Sequence, residues 1–525
     1  MLIVGAGPTG LVLAIELARR GVPHRLVDRL PMRLGWERAI FVKPRTLEVL
    51  RAIGVADALL ARSQIIDGVD VFYGPAKSGG CRFAGLDTPY PFIASVPQDV
   101  TEGVLIQRLH ELGGAVERDV EFVALQNGED GVRVQLRNGG GEEQWCDTSW
   151  LVGTDGLHSA VRHAIDIEFD GRDYARLWGV FDSDIPSSGL SESLATVQLE
   201  PPVVLQFPLQ DGRRRIYFQT ESAHPDTISD VLHQIRVVSP EARFRRPDQP
   251  HFFHAHSRIA RRFGRGRVLL AGDAAHVSNP IEGHGMNAGI QDAHNLGWKL
   301  ALIAGGASPD LLVGSYDDER RKIARELIES GDAMEARIDS AGSGAMAALL
   351  AGIGTAEGQE VLALAESELA LEYDPGPIVR EWEVSPRVPP STRLGLRVAN
   401  CAGLVGVDGA VDLYDLIAGP DATLLALLGE TDPAAIDDAL RCSGELPTWG
   451  WFGPRHFAVV RGSPPDVHVR AGVVYDRTGE THARLSGTGP TFCLVRPDGH
   501  IAFRCGIESA GPLAGALRAI LPPAA

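Results

Sequence analysis

Cysteine is scarce in this chain of 525 residues: Cys81, Cys146, Cys401, Cys442, Cys493 and Cys505 stand far apart. They show neither CxxC nor Cys/His ligand spacing, which excludes a disulfide framework and a zinc site as readings. His158, His276 and His294 fall in no metal-ligand pattern either, so no metal is expected. Long apolar runs are missing too. None approaches the roughly 18 consecutive apolar residues of a membrane span, and the opening Met1-Leu2-Ile3-Val4-Gly5 lacks the basic stretch and long apolar core of a secretion signal. The expectation is a cytoplasmic protein without a membrane partner. Nor is there any basic excess. Lys+Arg 50 against Asp+Glu 68 leaves a net charge of −18, and that field repels phosphate backbones, so nucleic acid is not an expected partner.

Glycine, by contrast, is plentiful. The 60 glycines exceed the average share of about 7% without a collagen-like period, which points to tight turns and close approach of backbone to a ligand. Hydrophobic residues at 44% and charged residues at 22% describe a globular chain long enough for two to four domains.

The first glycine cluster has a readable context. Residues 2–5 form a short apolar strand running into Gly5-Ala6-Gly7-Pro8-Thr9-Gly10, after which Leu11, Ile15 and Ala18 recur at helical spacing up to Gly21. A second strand, Arg25 to Val27, ends at Asp28. Strand, G-x-G-x-x-G turn, helix and an acidic residue near the expected separation of about 20 form a βαβ unit for a dinucleotide. Gly5 permits the turn, Gly7 lets backbone approach a pyrophosphate, and Gly10 lets helix and strand pack closely.

Further along, helices are expected at 44–53 and 101–112, and strands between about 115 and 153. From 174 to 258 strand patterns dominate, with one helix near 227–236. A buried strand at 267–271 leads through a glycine-rich loop into a helix over 287–304, followed by a long polar helix around 315–340. The stretch 344–371 reads as helical, and five prolines mark a linker near 374–392. Beyond it, strands at 456–461, 491–495 and 501–504 and a closing helix at 511–521 suggest a small α/β domain. Trp449-Gly450-Trp451-Phe452-Gly453-Pro454 reads as a packed aromatic turn.

Three separated motifs occur together: Gly5-x-Gly7-x-x-Gly10, Gly153-Thr154-Asp155-Gly156 with Ser159 and Arg162, and Ala271-Gly272-Asp273-Ala274-Ala275-His276. In this order and spacing the chain resembles the FAD-dependent aromatic hydroxylases, the single-component flavoprotein monooxygenases, in their phenol and aromatic polyketide hydroxylase branch. The likeness extends through Pro44-Arg45-Thr46-Leu47-Glu48, Pro97-Gln98 and Asn295-Leu296-Gly297-Trp298-Lys299. Asp408-Gly409, Leu413-Tyr414-Asp415-Leu416 and Arg496-Pro497-Asp498-Gly499-His500 look like the thioredoxin-like extension of that branch, here without CxxC, which implies packing rather than redox chemistry.

The resemblance implies an α/β fold: a discontinuous Rossmann-like FAD-binding domain (1–173 and 259–340), an inserted β-rich substrate domain (174–258), a helical segment and linker (341–391), and a thioredoxin-like domain (392–525). It implies non-covalent FAD, NADPH or NADH as reductant, and hydroxylation of a phenolic or polyketide aromatic substrate by molecular oxygen through a flavin C4a-hydroperoxide. The nicotinamide cofactor would bind transiently, in keeping with the lack of a second GxGxxG. The expected partners are a small aromatic molecule and oxygen, with room for a homodimer.

Gly5, Gly7 and Gly10 would cradle the pyrophosphate at a helix N-terminus, and Asp28, where most relatives carry Glu, would accept the adenosine ribose hydroxyls. Arg38 and Gln98 would lie along the flavin, and Asp273 would bond the ribityl chain. Asp155 belongs to the motif associated with FAD and the nicotinamide cofactor, but a strand-end Asp-Gly pair also serves plain turn chemistry. Pro280, Gly285, Met286 and Asn287 belong to the loop before the helix that points at the isoalloxazine. No residue is expected to act as a catalytic acid or base, since the cofactor supplies the oxidant.

Two departures from the family stand in that loop, Glu282 where Gly is common and His284 where Gln is usual; the reading that both face solvent or cap the helix is favoured for Glu282. Trp178, Phe181, Phe207 and Phe218 are candidates for the substrate pocket and equally for plain core. Two other readings stay open: a Baeyer–Villiger or other oxygenation on the same scaffold, and a non-catalytic, FAD-holding component of a biosynthetic complex.

Overall fold

The computed structural model describes all residues except 36–38, 186–188, 225–226, 246, 341–343, 382–392, 431–432, 445–453, 465–470, 487–488, 508–513, 516–517 and 519–525. Arg38, most of the aromatic turn at 449–454, half of the proline linker and nearly all of the expected closing helix lie outside the described residues.

A six-stranded sheet carries the three motifs. Its order is Gly264–Arg265, Val268–Leu270, Leu151–Gly153, Leu2–Val4, Arg25–Asp28 and Val116–Arg118. All neighbours are parallel except the first pair. The three central strands, Val268–Leu270, Leu151–Gly153 and Leu2–Val4, are fully buried and carry no polar side chain, as parallel strands covered on both faces must. Register aligns Val4 with Val27 and Gly153, and Gly153 with Leu270. Parallel pairing therefore brings the turns after three strands to one edge: Gly5, Thr154 and Ala271 follow side by side. Backbone bonds tie them together, Gly5 N donating to Val27 O (2.8 Å), Thr154 N to Val4 O (2.8 Å) and Ala271 N to Gly153 O (3.0 Å). The chain leaves the central strand in opposite directions here, the switch point where open α/β sheets bind ligands.

Two helices close on this edge. Pro8–Ala18 packs on Gly285–Ala304, and two glycines set how near they come: a Cβ at Gly289 would fall 2.3 Å from Thr9 Oγ1, and one at Gly297 2.4 Å from Glu16 Cβ.

An eight-stranded sheet stands beside this unit. It includes Phe169–Asp184, Leu194–Gln198, Val204–Pro208, Arg213–Thr220 and His251–Ala260, and it recruits Gly68–Tyr73 and Ala76–Arg82 from the first 173 residues. Its sequence therefore extends beyond 174–258. Strand alternation sends Trp178 and Val180, Leu205 and Phe207, and Tyr217 to one face, and Phe181, Val204 and Phe218 to the other. The second face is covered by helix Thr227–Val238 through Val231 and Ile235. The first is covered by helices that follow the sheet, with Ile338, Met346, Ile353 and Ala363 packed into the same core.

A three-stranded antiparallel sheet, Val120–Asn127, Val132–Asn138 and Glu143–Thr148, flanks the first unit. The C-terminal part is a second eight-stranded mixed sheet, ordered Arg380–Glu381, Ile501–Gly506, Thr491–Val495, Thr423–Gly429, Arg455–Arg461, Val473–Asp476, Leu404–Gly406 and Gly409–Val411. Its central strand Thr423–Gly429 and the strand Val473–Asp476 were not among the expected elements. Uniformly apolar Leu424–Leu428 gives no period to separate a buried strand from a buried helix. Among the described residues no helix is long and apolar enough to cross a membrane, and no cluster of His, Cys, Asp and Glu could hold a metal ion.

Candidate functional site

A cleft of about 380 Å³ opens where the three motif turns meet the eight-stranded sheet. Gly7, Pro8 and Thr9 line it together with Thr154, Gly156, Leu157 and Asp273, and Pro280 with Gly283 to Met286 make the stretch here called its floor. Phe41, Tyr217 and Phe253 give it an aromatic wall.

The residues present fit a dinucleotide. Helix Pro8–Ala18 starts at Gly7 with no side-chain cap, so its first-turn amides and the positive end of its dipole face the cleft. A Cβ on Gly7 would meet no atom within 4 Å. The open space is a cradle that a side chain would fill, and backbone there can meet a pyrophosphate. The other two glycines serve the fold: a Cβ on Gly5, at φ +106°, would lie 2.4 Å from Thr154 O, and one on Gly10 1.9 Å from Gly5 O.

Asp28 sits at the end of its strand, where Oδ2 accepts from Ala6 N (2.7 Å) and Oδ1 from Leu30 N (2.8 Å), with Arg118 at 3.6 Å. These bonds fix the carboxylate beside the glycine turn and leave each oxygen a further lone pair. Gln98 starts helix Gln98–Glu111 at the cleft and donates to Glu102 Oε1 (3.0 Å). Asp273 lies exposed in the turn Gly272–Ala274 and lines the cleft. Beneath that turn is Asp292, which sequence reasoning missed. It accepts from Gly272 N (3.0 Å), His276 Nε2 (2.7 Å) and Arg320 Nε (2.7 Å), and so holds the turn from inside the protein.

Two expected site residues turn away from the cleft. The Asp155 carboxylate accepts from Ser159 Oγ (2.6 Å) and Val161 N (3.2 Å), and burial pushes its pKa above the usual aspartate range. It closes the turn into helix Ala160–Ala164, the turn-chemistry alternative. Asn287 is fully buried; its Oδ1 accepts from Lys43 N (3.0 Å) and its Nδ2 donates to Phe41 O and Gly283 O (3.0 Å each). It is a strut that fixes the floor loop to strand Phe41–Val42.

None of the four expected substrate aromatics lines the cleft. Phe181 and Phe218 lie on the sheet face that packs on helix Thr227–Val238, with ring centroids 6.0 Å apart. Trp178 is buried in the core on the cleft side. Phe207 stands one layer back, with centroids 4.2 Å from Phe41 and 5.9 Å from Tyr217. The period-two alternation explains the exchange, since Tyr217 and Phe218 must face opposite ways. The same sheet face carries Gln219, whose Nε2 donates to the buried Glu335 Oε1 (2.7 Å). Burial pushes the Glu335 pKa up to about 7.

Glu282 does not face solvent. Its Oε2 lies 3.3 Å from His284 Nε2 and its Oε1 accepts from Ser330 (3.1 Å). His284 stands at the start of helix Gly285–Ala304, 5% exposed, with Nδ1 2.7 Å from Glu368 Oε1 and 3.1 Å from Lys43 Nζ. Lys43 in turn reaches Glu366 at 3.3 Å. Neither Lys43 nor Glu368 is legible as a site residue in the sequence, although a lysine capping the N-terminus of helix Pro44–Ala52 is a local oddity that asks for a partner.

The FAD-binding-domain family matches residues 1–330. An aromatic compound monooxygenase of Bacillus subtilis, itself uncharacterized, is 30% identical over 438 residues, 82% of this chain and 85% of that protein. The 6-methylpretetramide 4-monooxygenase of Streptomyces rimosus is 35% identical over 338 residues, 63% of this chain and 60% of its own. Among solved structures, the anhydrotetracycline hydroxylase OxyS of Streptomyces rimosus superposes with a TM-score of 0.75 at 29% identity, covering 100% of this chain and 99% of that one. Aklavinone-11 hydroxylase, solved with FAD and aklavinone, superposes with a TM-score of 0.76 at 27% identity over 99% and 98% of the two chains. With the match spanning all three motif turns of one cleft, the chain belongs to the FAD-binding-domain family and is an FAD-dependent aromatic monooxygenase.

Proposed function

We propose that this cleft hydroxylates a phenolic or polyketide aromatic ring with NAD(P)H as reductant. The observation that carries this reading is the continuity of the uncapped, glycine-lined dinucleotide end with the aromatic wall of Phe41, Tyr217 and Phe253. FAD bound there supplies electron transfer from NAD(P)H to dioxygen and transfer of one oxygen atom to the ring. The chain's own residues do the rest. Gly7 and the first turn of helix Pro8–Ala18 hold the pyrophosphate, Asp28 takes the adenosine ribose, and Asp273 the ribityl chain. Gln98, Pro280, Gly285 and Met286 place the isoalloxazine, and the aromatic wall orients the substrate ring and excludes water. Arg38 would lie along the flavin. The 6-methylpretetramide in the name of the Streptomyces rimosus relative, and the pentachlorophenol in that of a Sphingobium chlorophenolicum relative 32% identical over 357 residues, support an aromatic substrate.

The finer architecture belongs to the same proposal: the large sheet as an inserted substrate domain, residues 392–525 as a thioredoxin-like extension that packs rather than reacts, and a homodimer as the assembly. The test is NADPH oxidation by the FAD-loaded protein against a panel of phenols and naphthacene polyketides under 18O2. Stimulated oxidation with one labelled oxygen on a ring carbon supports the reading. A labelled oxygen inserted beside a carbonyl would replace hydroxylation by Baeyer–Villiger chemistry, and NADPH consumption unmoved by any substrate would favour the non-catalytic role.

A further inference from the structure

The floor of the cleft holds more buried charge than helix packing requires. Five ionisable side chains from three stretches of chain converge there: Lys43, Glu282, His284, Glu366 and Glu368. His284 lies at the N-terminal end of helix Gly285–Ala304, where the helix dipole disfavours a cation. Both of its ring nitrogens nevertheless face carboxylate oxygens, Nδ1 at 2.7 Å from Glu368 and Nε2 at 3.3 Å from Glu282. The Glu282 Oε2 atom is buried and makes no hydrogen bond among the described residues, so its approach to Nε2 is an ionic contact. A neutral imidazole has only one N–H and would set a lone pair against one of these oxygens, so the two carboxylates favour protons on both nitrogens, against the Lys43 Nζ donor 3.1 Å from Nδ1, which favours a lone pair there.

Glu368 is held for this purpose at some expense. It is 2% exposed, sits just beyond helix Ala356–Ser367, and has the left-handed backbone (φ +59°) rarely adopted by a non-glycine residue. Its second oxygen accepts from Gln291 Nε2 (2.5 Å). Lys43 lies 3.8 Å from the oxygen that meets His284, and Glu366 gives the lysine its own partner at 3.3 Å. Glu282, from the turn Pro280–Glu282, is braced by Ser330 of helix Pro309–Asp339. With the ring charged, the five groups sum to one negative charge, and with it neutral to two.

We propose that Glu368, delivered by the segment that follows the FAD-binding part of the chain, is a positioning residue that keeps the His284 ring charged at the flavin's side of the cleft floor, so that the reduced anionic cofactor meets a fixed cation. This rests on the placement of the isoalloxazine against Gly285 and Met286. The direction of titration agrees: burial and Lys43 pull the His284 pKa down, and Glu282 and Glu368 more than reverse them.

The test measures two things on the FAD-loaded protein between pH 5 and 9: the flavin midpoint potential, and the protonation of His284 by NMR of histidine-labelled protein, assigned with His284→Gln. In the wild type His284 stays protonated beyond the usual histidine range. His284→Gln lowers the potential across the range, because a cation beside the anionic reduced flavin is lost. Glu368→Gln raises it in acid, where the ring is still charged and one carboxylate is gone. It also introduces a new downward step as the freed ring titrates, and the double variant lacks that step. A merely structural Glu368 would change melting temperature without adding the step. Wild-type His284 titrating at or below the ordinary histidine value overturns the inference directly. A ring that stays protonated while all variants share one potential curve overturns it differently, by placing the flavin elsewhere. Glu368→Asp, which keeps the charge, should restore the smooth curve if Glu368→Gln folds poorly.

Discussion

The cleft and the seam between the FAD-binding part and the C-terminal sheet are both rich in polar groups and differ in where those groups end. At the seam, charges close on one another. Arg496 donates to both oxygens of Glu319 (2.7 and 2.9 Å), Lys299 to Glu319 (2.8 Å), and Asp498 accepts from Arg496 Nε (2.9 Å), Asn295 (3.1 Å) and Trp298 (3.2 Å). The seam shifts pKa values as strongly as a catalytic site, with burial pulling Lys299 down to about 8 and Arg496 and Lys299 overcoming burial to hold Glu319 at about 2. Yet the cavity that reaches Asp498, lined also by Arg45, Glu48 and Tyr414, is only about 20 Å³, room for a water and not for a ligand. In the cleft, the uncapped helix at Gly7 faces open space. Perturbed titration alone does not separate function from structure; what separates them is whether the donors already have partners.

This contrast predicts opposite behaviour for two glycines one turn apart. Gly7→Val should fold with a melting temperature near that of wild-type apoprotein and purify colourless, with FAD affinity reduced by at least about 100-fold, or about 2.7 kcal/mol. Gly10→Ala, with its Cβ driven onto the Gly5 carbonyl, should lose stability and cofactor together. A yellow, folded Gly7→Val protein would break the comparison on the cleft side.

Arg496→Met takes the guanidinium from Glu319 and Asp498 and leaves them Lys299, Asn295 and Trp298, and removing one member of a buried pair costs about 3–5 kcal/mol. Chemical denaturation should show that loss, while the flavin absorption spectrum of the loaded protein stays as in the wild type. A shifted flavin spectrum without a stability loss would make the seam part of the site.

Glu335 sharpens the comparison from a third place, behind the aromatic wall. Its pKa rises from an ordinary 4.5 to about 7 on burial, so between those values the folded protein holds a proton that the unfolded chain releases. The stability from neutral Glu335 is full in acid and is lost as pH rises through about 7. Glu335→Gln should therefore gain stability over wild type at pH 8, by about 1–3 kcal/mol, with the gain shrinking toward pH 5. Equal curves would mean that Glu335 has a charged partner in solution.

The smallest effect concerns the two faces of one strand. Tyr217→Leu should change KM and the coupling of NADPH use to product, whereas Phe218→Leu should cost about 1 kcal/mol of stability and leave both unchanged. Altered kinetics in Phe218→Leu alone would reverse the assignment of the faces.

Which parts of this were legible follows from the range of the interactions. The glycine turn, Asp28 and the Gly272-Asp273 turn were readable because each sits beside its own strand end, and parallel register then gathers strand ends without further information. The four aromatics needed knowledge of which face of the large sheet turns to the cleft. A strand buried on both faces, such as Ile216-Tyr217-Phe218, hides that in its composition. The charged floor was legible only as an oddity, His284 in place of Gln. Its partners Lys43 and Glu368 lie 241 and 84 residues away, and a left-handed glutamate leaves no local signature. An unpaired carboxylate at Glu282 would be costly, which favours solvent for it in the sequence; the fold meets that cost with His284 and Ser330.

The most direct measurement is the crystal structure of the FAD-loaded protein. The pyrophosphate is expected on the backbone of Gly7 to Thr9, the ribityl chain at Asp273, and the isoalloxazine against Gly285 and Met286 with its substrate face toward Tyr217. A pyrophosphate bound away from Gly7, or a flavin ring that never comes near the His284 loop, would contradict that placement.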